Sequence, residues 1–316
     1  MKIISNFNSF SVINQTIVTI GTFDGVHMGH QKIIKRLVNI AKEDNLKAIV
    51  LTFFPHPRMV LQKDANIKLI NSLEEKALLF EKFGVDNLVV KEFTKEFSRL
   101  SAEDFVKQVL VDKLKIKKII IGYDHHFGRN RNANINDLKT FGESYNFEVE
   151  EISVQDINDV AVSSTKIRNA INEGNIKEAN TFLGYNFMLS GEIIKGKGLG
   201  KKINFPTANL FIKETYKLIP KQGVYIVQSK IDNNIVYGMM NIGTNPTIGE
   251  NAESIEVHFF NFNKDLYNQK IQVEILDRIR DEQKFNTLEE LKTQLKKDKQ
   301  TSLDYIASYN ASQIII

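Results

Sequence analysis

The order of apolar and polar positions changes character near residue 185. Before it, short β-branched runs alternate with segments of helical period. The run TIVTI at 16–20 predicts a strand and stops at Gly21. A helix is expected over 29–43, with Ile33, Ile34, Leu37, Val38 and Ile40 on one side. Residues 48–54 predict a second strand, ended by Pro55. Ser72 followed by Glu75 has the spacing of a capping box and opens a helix to residue 83. Strands are expected at 87–91, 118–121 and 147–152, with a helix from Ser101 and Asp104 to residue 114. Two short helices follow, 165–173 and 176–183; Ser163 or Ser164 caps the first and Gly174 ends it. Strand, helix, strand at this spacing argues for a parallel sheet with right-handed crossovers.

After residue 185 the long helical periods disappear. Residues 188–194, 208–211, 224–231, 235–241, 255–260 and 270–276 all read as strands. Turn signals such as Asp232-Asn233-Asn234 and Asn263-Lys264-Asp265 separate them. Six short strands so close together suggest a closed antiparallel barrel. A helix begins near Thr287, with Glu290 as its capping partner, and is expected to run to residue 297. The expected architecture is α/β plus β, with one domain over 1–185 and a barrel domain with a C-terminal helix over 186–316.

Composition narrows the class. The chain has 316 residues, enough for two ordinary cores. An apolar fraction of 42% and a charged fraction of 25% are those of a globular protein. The net charge of +4 is mildly basic, and binding of nucleotides is enough to explain it. The basic stretches 113–118 and 292–299 read as solvated helix faces rather than a nucleic-acid surface. There is no cysteine, which excludes disulfides, thiolate zinc sites and cysteine nucleophiles. Apolar runs such as 119–121 are far shorter than the ~20 residues that span a bilayer. The first ten residues lack the apolar core and cleavage site of a signal peptide. The expectation is a cytoplasmic enzyme with neither membrane nor nucleic acid as a partner.

Three segments of the first domain carry candidate chemistry. Gly21-Thr22-Phe23-Asp24-Gly25-Val26-His27-Met28-Gly29-His30 joins the first strand to the first helix. Ligands of an open parallel sheet bind beyond the carboxyl ends of its strands. His27 and His30 lie where helix N–H groups and dipole already favour an anion, and Gly29 lets a phosphate approach the backbone. A surface histidine pair or a metal site are the other readings; a metal needs more ligands than Asp24 supplies. In Ser163-Ser164-Thr165-Lys166-Ile167-Arg168, Ser164 and Thr165 share a helical face with Arg168, which suits a triphosphate or an ordinary capped helix. Gly122-Tyr123-Asp124-His125-His126-Phe127-Gly128-Arg129-Asn130-Arg131 again follows a strand. Its aromatic and basic residues can hold a planar ring and a phosphate.

The second domain opens with Lys195-Gly196-Lys197-Gly198-Leu199-Gly200-Lys201-Lys202, a basic glycine-rich loop without the P-loop pattern. Its backbone N–H groups can still cradle phosphates, or it is a flexible hairpin. Asn204-Phe205-Pro206-Thr207-Ala208-Asn209 follows. Thr207 and Asn209 alternate along the strand, so their side chains point one way. Their oxygens are hard ligands suited to Mg²⁺, though a polar barrel rim reads the same.

Taken in order, these motifs resemble those of the prokaryotic bifunctional riboflavin kinase/FAD synthetase family. The histidine motif, Phe54-Pro55-His56-Pro57 and Ser163 to Arg168 resemble its Rossmann-like nucleotidylyltransferase module. Asn204 to Asn209, Gly223-Val224-Tyr225, Asn241 to Thr247, Glu256-Val257-His258 and Arg280-Asp281-Glu282 with Lys284-Phe285 resemble its riboflavin kinase barrel. The resemblance implies that riboflavin and ATP give FMN, and that FMN and a second ATP give FAD and pyrophosphate. In the first domain it implies an ATP site of Gly21, Phe23, Asp24, His27, Gly29, His30, Ser164, Thr165 and Arg168. His27 and His30 would stabilise the transition state at the α-phosphate. Phe54, His56, Pro57, Asp124, Phe127 and Arg131 would hold the flavin. In the barrel, Gly196, Gly198, Gly200, Lys201, Phe205 and Pro206 would bind ATP, and Thr207 and Asn209 Mg²⁺. Glu256 would be the general base, with Arg280, Glu282 and Phe285 beside the flavin. A monomer or weak homo-oligomer is expected.

The chain departs from the family pattern at Lys201 (usually arginine), Asn204 and Ala133 (usually glycine) and His125 (usually phenylalanine). Asparagine tolerates positive φ, so the turn at 204 is expected to survive. Two other functions stand beside the main one: an adenylyltransferase for another phosphate-bearing acceptor, which leaves the barrel unexplained, and a flavin-binding regulator, which predicts loss of the histidine pair or of Glu256.

Overall fold

A computed structural model describes residues 1–5, 7, 12, 14–62, 66–122, 126–152, 162–196, 198–244 and 253–314. Asp124, His125, Lys197, Asn245, Pro246 and Thr247 lie outside them. Backbone packing divides the chain into two compact units, Met1–Ser164 and Thr165–Ile316.

The first unit is built on a six-stranded parallel sheet in the order β1-β4-β3-β2-β5-β6. Its strands are β1 (Lys2–Ile4), β2 (Thr16–Ile20), β3 (Lys47–Phe54), β4 (Asn87–Glu92), β5 (Ile116–Gly122) and β6 (Glu148–Ile152). The continuous apolar runs are those of strands covered on both faces: all of β2 is buried, as are the middle of β3 and Ile119, Ile120 and Ile121 of β5. Helices α1 (Met28–Glu43), α2 (Pro57–Leu61), α3 (Leu73–Lys82), α4 (Ala102–Phe105) and α5 (Ile135–Tyr145) connect them. Helix α1 buries Ile33, Ile34, Leu37, Val38 and Ile40, the stripe its periodicity predicts. The Ser72–Glu75 capping box is present in both directions, and the Ser101 side chain accepts from the Asp104 N–H. The expected helix over 101–114 continues beyond α4 with π-type hydrogen bonding over Val106–Lys113.

The sequence reading missed β1, α2 and α5. Strand β1 is three residues long, and α2 five, too short to show a period. Helix α5 carries only Leu138 and Gly142 on its buried side, so its apolar signal is thin.

The strand order reverses between β2 and β5. Chain connections lead one way from β2 through β3 to β4, and the other way from β5 to β6. Open parallel sheets bind their ligands at such a switch point, beyond the carboxyl ends of the strands. The first candidate segment leaves β2 there over 21–27, and the described part of the third, 126–131, follows β5.

The second unit is a closed antiparallel barrel, β10-β11-β8-β7-β12-β9. Its strands are β7 (Met188–Ile194), β8 (Ala208–Phe211), β9 (Gly223–Ile231), β10 (Asn234–Thr244), β11 (Glu253–Phe259) and β12 (Lys270–Arg280). All six expected strands are there; β10 and β12 run three and four residues further. Helices α6 (Ser164–Glu173), α7 (Ile176–Leu183), α8 (Leu199–Lys202) and α9 (Leu288–Ile314) follow, α6 starting at the last residue of the first unit. Helix α9 reaches Ile314 rather than residue 297. Ile306, in the added part, packs with Phe205, Ile226, Met239, Phe260 and Leu276 of the barrel. The expected stop fails because tertiary packing, not local composition, continues this helix.

Candidate active sites

In the first unit, α1 begins at His27, which takes extended backbone as the N-cap. His30 follows one turn in. The two imidazoles stack, with centroids 3.7 Å apart and planes 18° from parallel. Phe23 meets His30 edge-on at 5.1 Å and Phe80 of α3 at 5.7 Å. The Nδ1 atoms of both histidines are shielded from solvent and have no hydrogen-bond partner among the described residues. Burial lowers the His27 pKa to about 4 against the pull of Asp24. Burial, then His27 and Lys76, hold His30 well below the usual histidine range. Both rings are therefore neutral at physiological pH.

The loop before them is tied at several points. Asp24 is 2% exposed and its Oδ1 accepts from the Ile70 N–H at 2.8 Å. Ser164 Oγ donates to the Asp24 carbonyl at 2.8 Å. Gln31 Nε2 donates to the Val26 carbonyl at 2.9 Å. Phe23, Asp24, His27, Gly29, His30 and Ser164 thus come together, and Gly21 packs against the Phe23 ring. Thr165 and Arg168 lie on α6 in the second unit, Thr165 exposed and Arg168 half-buried.

The candidate flavin residues come from the next two strand ends. Phe54 closes β3, and His56 caps α2, its Nδ1 accepting from the Arg58 N–H, with Pro57 at the first helical position. Phe127 is buried after β5 and meets Phe105 at 6.1 Å, at the end of a run of rings through Phe97, Phe93 and Phe53. Arg131 is exposed with φ 57°. Ala133 pairs its backbone with Phe127 in both directions, so the missing glycine costs no contact there.

In the second unit, β8 lies beside β11 with Asn209 opposite Glu256 and Ala208 opposite Val257. That register brings Thr207 to Glu256: the hydroxyl donates to Oε2 at 3.1 Å. The Asn209 carboxamide lies over Gly196, where a Cβ would come 2.1 Å from Nδ2. Gly198 starts the short helix α8 with φ 68°, and Gly200 sits beneath the Phe205 carbonyl with the Thr207 hydroxyl nearby. Asn204 has φ 63°, so asparagine does make the turn usually given to glycine. Lys201 is exposed. Pro206 offers its carbonyl to His258 Nδ1 at 2.8 Å, and His258 packs against Phe205 and Phe260. Burial holds His258 below its ordinary pKa.

On β10, Asn241 stands opposite Glu256. Beyond it, the Glu282 carboxylate covers Gly243, 2.0 Å from where a Cβ would sit. Arg280 directs Nε and Nη2 to Asp298 of α9, with Nη2 to Oδ2 at 2.7 Å, and Nη1 to the Asp281 carbonyl. Asp298 is 1% exposed, so this ion pair is largely out of water. The Phe285 ring lies 5.9 Å from the Arg280 guanidinium.

The sequence reading missed Lys76 and Asp298. Each is a charged residue on the buried side of its helix, which the sequence does not mark. Lys76 shares the buried side of α3 with Ala77 and Phe80. Among the described residues no group of three histidine or acidic side chains forms a metal site. Thr207 lies beside the Glu256 carboxylate, and Asn209 stands opposite Glu256 on the neighbouring strand.

A parallel α/β unit with stacked imidazoles at a switch point, and a barrel with a hydroxyl–carboxylate pair, together make a phosphate-group transferase of two sites. Family models match both parts: FAD synthetase over residues 10–166 and riboflavin kinase over residues 183–306. Bifunctional riboflavin kinase/FMN adenylyltransferases are similar over nearly the whole chain. The Buchnera aphidicola protein from Acyrthosiphon pisum is 39% identical, covering 94% of this chain and 96% of its own. That of Listeria monocytogenes is 39% identical over 92% of each chain, and that of Escherichia coli 33% over 96% and 98%. A crystal structure from Streptococcus pneumoniae, described as a macrolide-efflux protein, is 32% identical with a TM-score of 0.84, over 95% of this chain and 97% of its own. In the present chain, no helix among the described residues is long and apolar enough to cross a membrane. The chain belongs to the bifunctional riboflavin kinase/FMN adenylyltransferase family. Its activities are the ATP-dependent phosphorylation of riboflavin and adenylyl transfer to the FMN so formed.

Proposed function

We propose that the stacked His27–His30 pair serves adenylyl transfer and the Thr207–Glu256 pair serves phosphorylation. The observation that carries this reading is the histidine stack itself, neutral, shielded at Nδ1 and set at the start of α1. Neutral rings donate to the α-phosphate as charge builds there, and the helix N-terminus adds its dipole. The attacking group is the FMN phosphate, already an anion, so positioning and charge stabilisation carry the step. Gly21, Phe23, Asp24 and Gly29 shape the ATP site around the pair. Ser164, Thr165 and Arg168 take the β- and γ-phosphates, and Phe54, His56, Pro57, Asp124, Phe127 and Arg131 take the flavin. This assignment puts the functional boundary near residue 185, because the triphosphate motif on α6 serves the first reaction.

In the barrel, Glu256 accepts the proton of the riboflavin hydroxyl as that oxygen attacks the γ-phosphate. Thr207 holds the carboxylate in place through its hydroxyl. Gly196, Gly198, Gly200, Lys201, Phe205 and Pro206 bind the ATP phosphates. Thr207 and Asn209 hold Mg²⁺, which supplies Lewis-acid charge on the phosphates when bound. Glu282 and Phe285 stand beside the flavin, held there by Arg280 through Asp298. We place the enzyme in the cytoplasm, as a monomer or weak homo-oligomer with no nucleic-acid or membrane partner. The test supplies riboflavin or FMN with Mg-ATP to the wild type, to Glu256→Ala and to His27→Ala/His30→Ala. Loss of FMN formation in the first variant and of FAD formation in the second supports the assignment; loss of the opposite step overturns it.

A further inference from the structure

The loop before α1 holds three residues in left-handed backbone: Phe23 at φ 46°, Gly25 at φ 90° and Val26 at φ 36°. Glycine enters this region freely, whereas phenylalanine and β-branched valine persist there only where their surroundings over-determine them. One of the fixing contacts comes from α3. Lys76 is 2% exposed, and its Nζ donates to the Thr22 carbonyl at 3.1 Å. Thr52 Oγ1 meets the same carbonyl at 3.4 Å. Phe80, one turn on from Lys76, packs on the Phe23 ring. Helix α3 therefore holds two successive residues of the loop, Thr22 by its backbone and Phe23 by its ring. Phe23 is in turn the ring that meets His30 edge-on.

A lysine is almost never buried without a reason, since an uncharged side chain of the same length packs at lower cost. Burial brings this one down to about 8, opposed by the Asp24 carboxylate. Its charge also helps keep His30 neutral. Besides burial, the titratable groups that bear on the pair in this way are Asp24 from the loop, on His27, and His27 with Lys76 from α3, on His30.

We propose that Lys76 is a positioning residue for adenylyl transfer, tying α3 to the Thr22 carbonyl so that Phe23 seats the histidine stack. The inference rests on the assignment of the histidine pair to that step. No bond to Lys76 forms or breaks in the reaction; it acts through the loop and through His30.

The test uses the full chain as wild type, Lys76→Met and Lys76→Arg, with FMN and Mg-ATP, followed as a function of pH. Lys76→Met keeps the volume and removes the charge and the donor. It is expected to lower kcat for FAD formation roughly 10- to 100-fold, the scale of a small misplacement of reacting groups. KM for ATP should change by less than about threefold, because ground-state binding is not the interaction removed. The acid limb of the profile should move to higher pH, since the charge that disfavours the His30 imidazolium is gone. Lys76→Arg should keep the limb where the wild type has it and recover part of kcat. A Lys76→Met kcat within about twofold of wild type overturns the inference. So does an unmoved acid limb, or equal losses in both variants with a lowered unfolding midpoint, which make Lys76 only a structural brace. A wild type that makes no FAD at all fails the underlying site assignment instead, and the inference falls with it.

Discussion

Glu256 and Thr207 meet because β11 and β8 are paired in a register that sets Asn209 opposite Glu256. A carboxylate that already accepts from a neighbouring hydroxyl is oriented before substrate arrives. Glu256→Gln keeps the shape and removes the carboxylate proposed as the base. It should lower the rate of riboflavin phosphorylation by about 10²- to 10⁴-fold while FAD formation from added FMN stays intact; both rates are read by chromatography of the flavins. The histidines predict a pH dependence of stability. His27 has a folded pKa of about 4, below its unfolded value of 6.5. Its contribution is fully present above pH 6.5 and is lost as pH falls from there through the folded pKa, because the unfolded state binds the extra proton. Thermal unfolding followed across that window should show a midpoint falling with pH, and His27→Ala should flatten the fall. At this scale the sequence exposes residues whose type alone is informative. The His-x-Gly-His pattern is visible because the chain has only 6 histidines, and the Glu256 segment because it falls within an ordered set of motifs. Lys76 and Asp298 are hidden because a helix of mixed charge gives no hint which of its charges faces inward.

At the scale of elements, the two helices that matter most are tied by single residues. Asp298 draws the Arg280 guanidinium onto α9 with three hydrogen bonds to its carboxylate. Asp298→Ala leaves that guanidinium largely buried and uncompensated, a change that costs about 3–5 kcal/mol in comparable sites. The unfolding midpoint should fall, and the kinase KM for riboflavin should rise as the 280–285 segment loosens. The glycine-rich loop gives a sharper case. Gly196→Ala puts a methyl where the Asn209 carboxamide lies, 2.1 Å from Nδ2. The side chain must turn away, so phosphorylation should weaken through a raised KM for Mg-ATP, with adenylyl transfer unchanged. Element types were legible wherever the period was long or the cap explicit, as in α1 and α3. The three-residue β1, the five-residue α2 and the thinly apolar α5 lack that signal. The length of α9 was not legible either, since Ile306 earns its helical turn by packing on the barrel rather than by local sequence.

For the whole molecule, the change from helical period to short strands near residue 185 foretold both folds. The finer division was not legible: the compact units part between Ser164 and Thr165, while the hydroxyl-rich segment runs on through Arg168. The two sets of candidate residues otherwise fall in separate units, and the account has FMN leave the kinase and reach the transferase through solvent. With labelled riboflavin and an excess of unlabelled FMN, the label entering FAD should be diluted in proportion to the added FMN. Undiluted label means direct transfer.

The central claim is that one chain carries two separable ATP-dependent sites, and a chromatographic time course tests it most directly. Wild type, Glu256→Ala and His27→Ala/His30→Ala are each given riboflavin, ATP and Mg²⁺, and Glu256→Ala is also given FMN. The account predicts FMN then FAD from the wild type, FAD only from supplied FMN with Glu256→Ala, and an arrest at FMN with the double histidine variant. FAD formation by the double histidine variant at the wild-type rate, or FMN formation by Glu256→Ala at the wild-type rate, contradicts it.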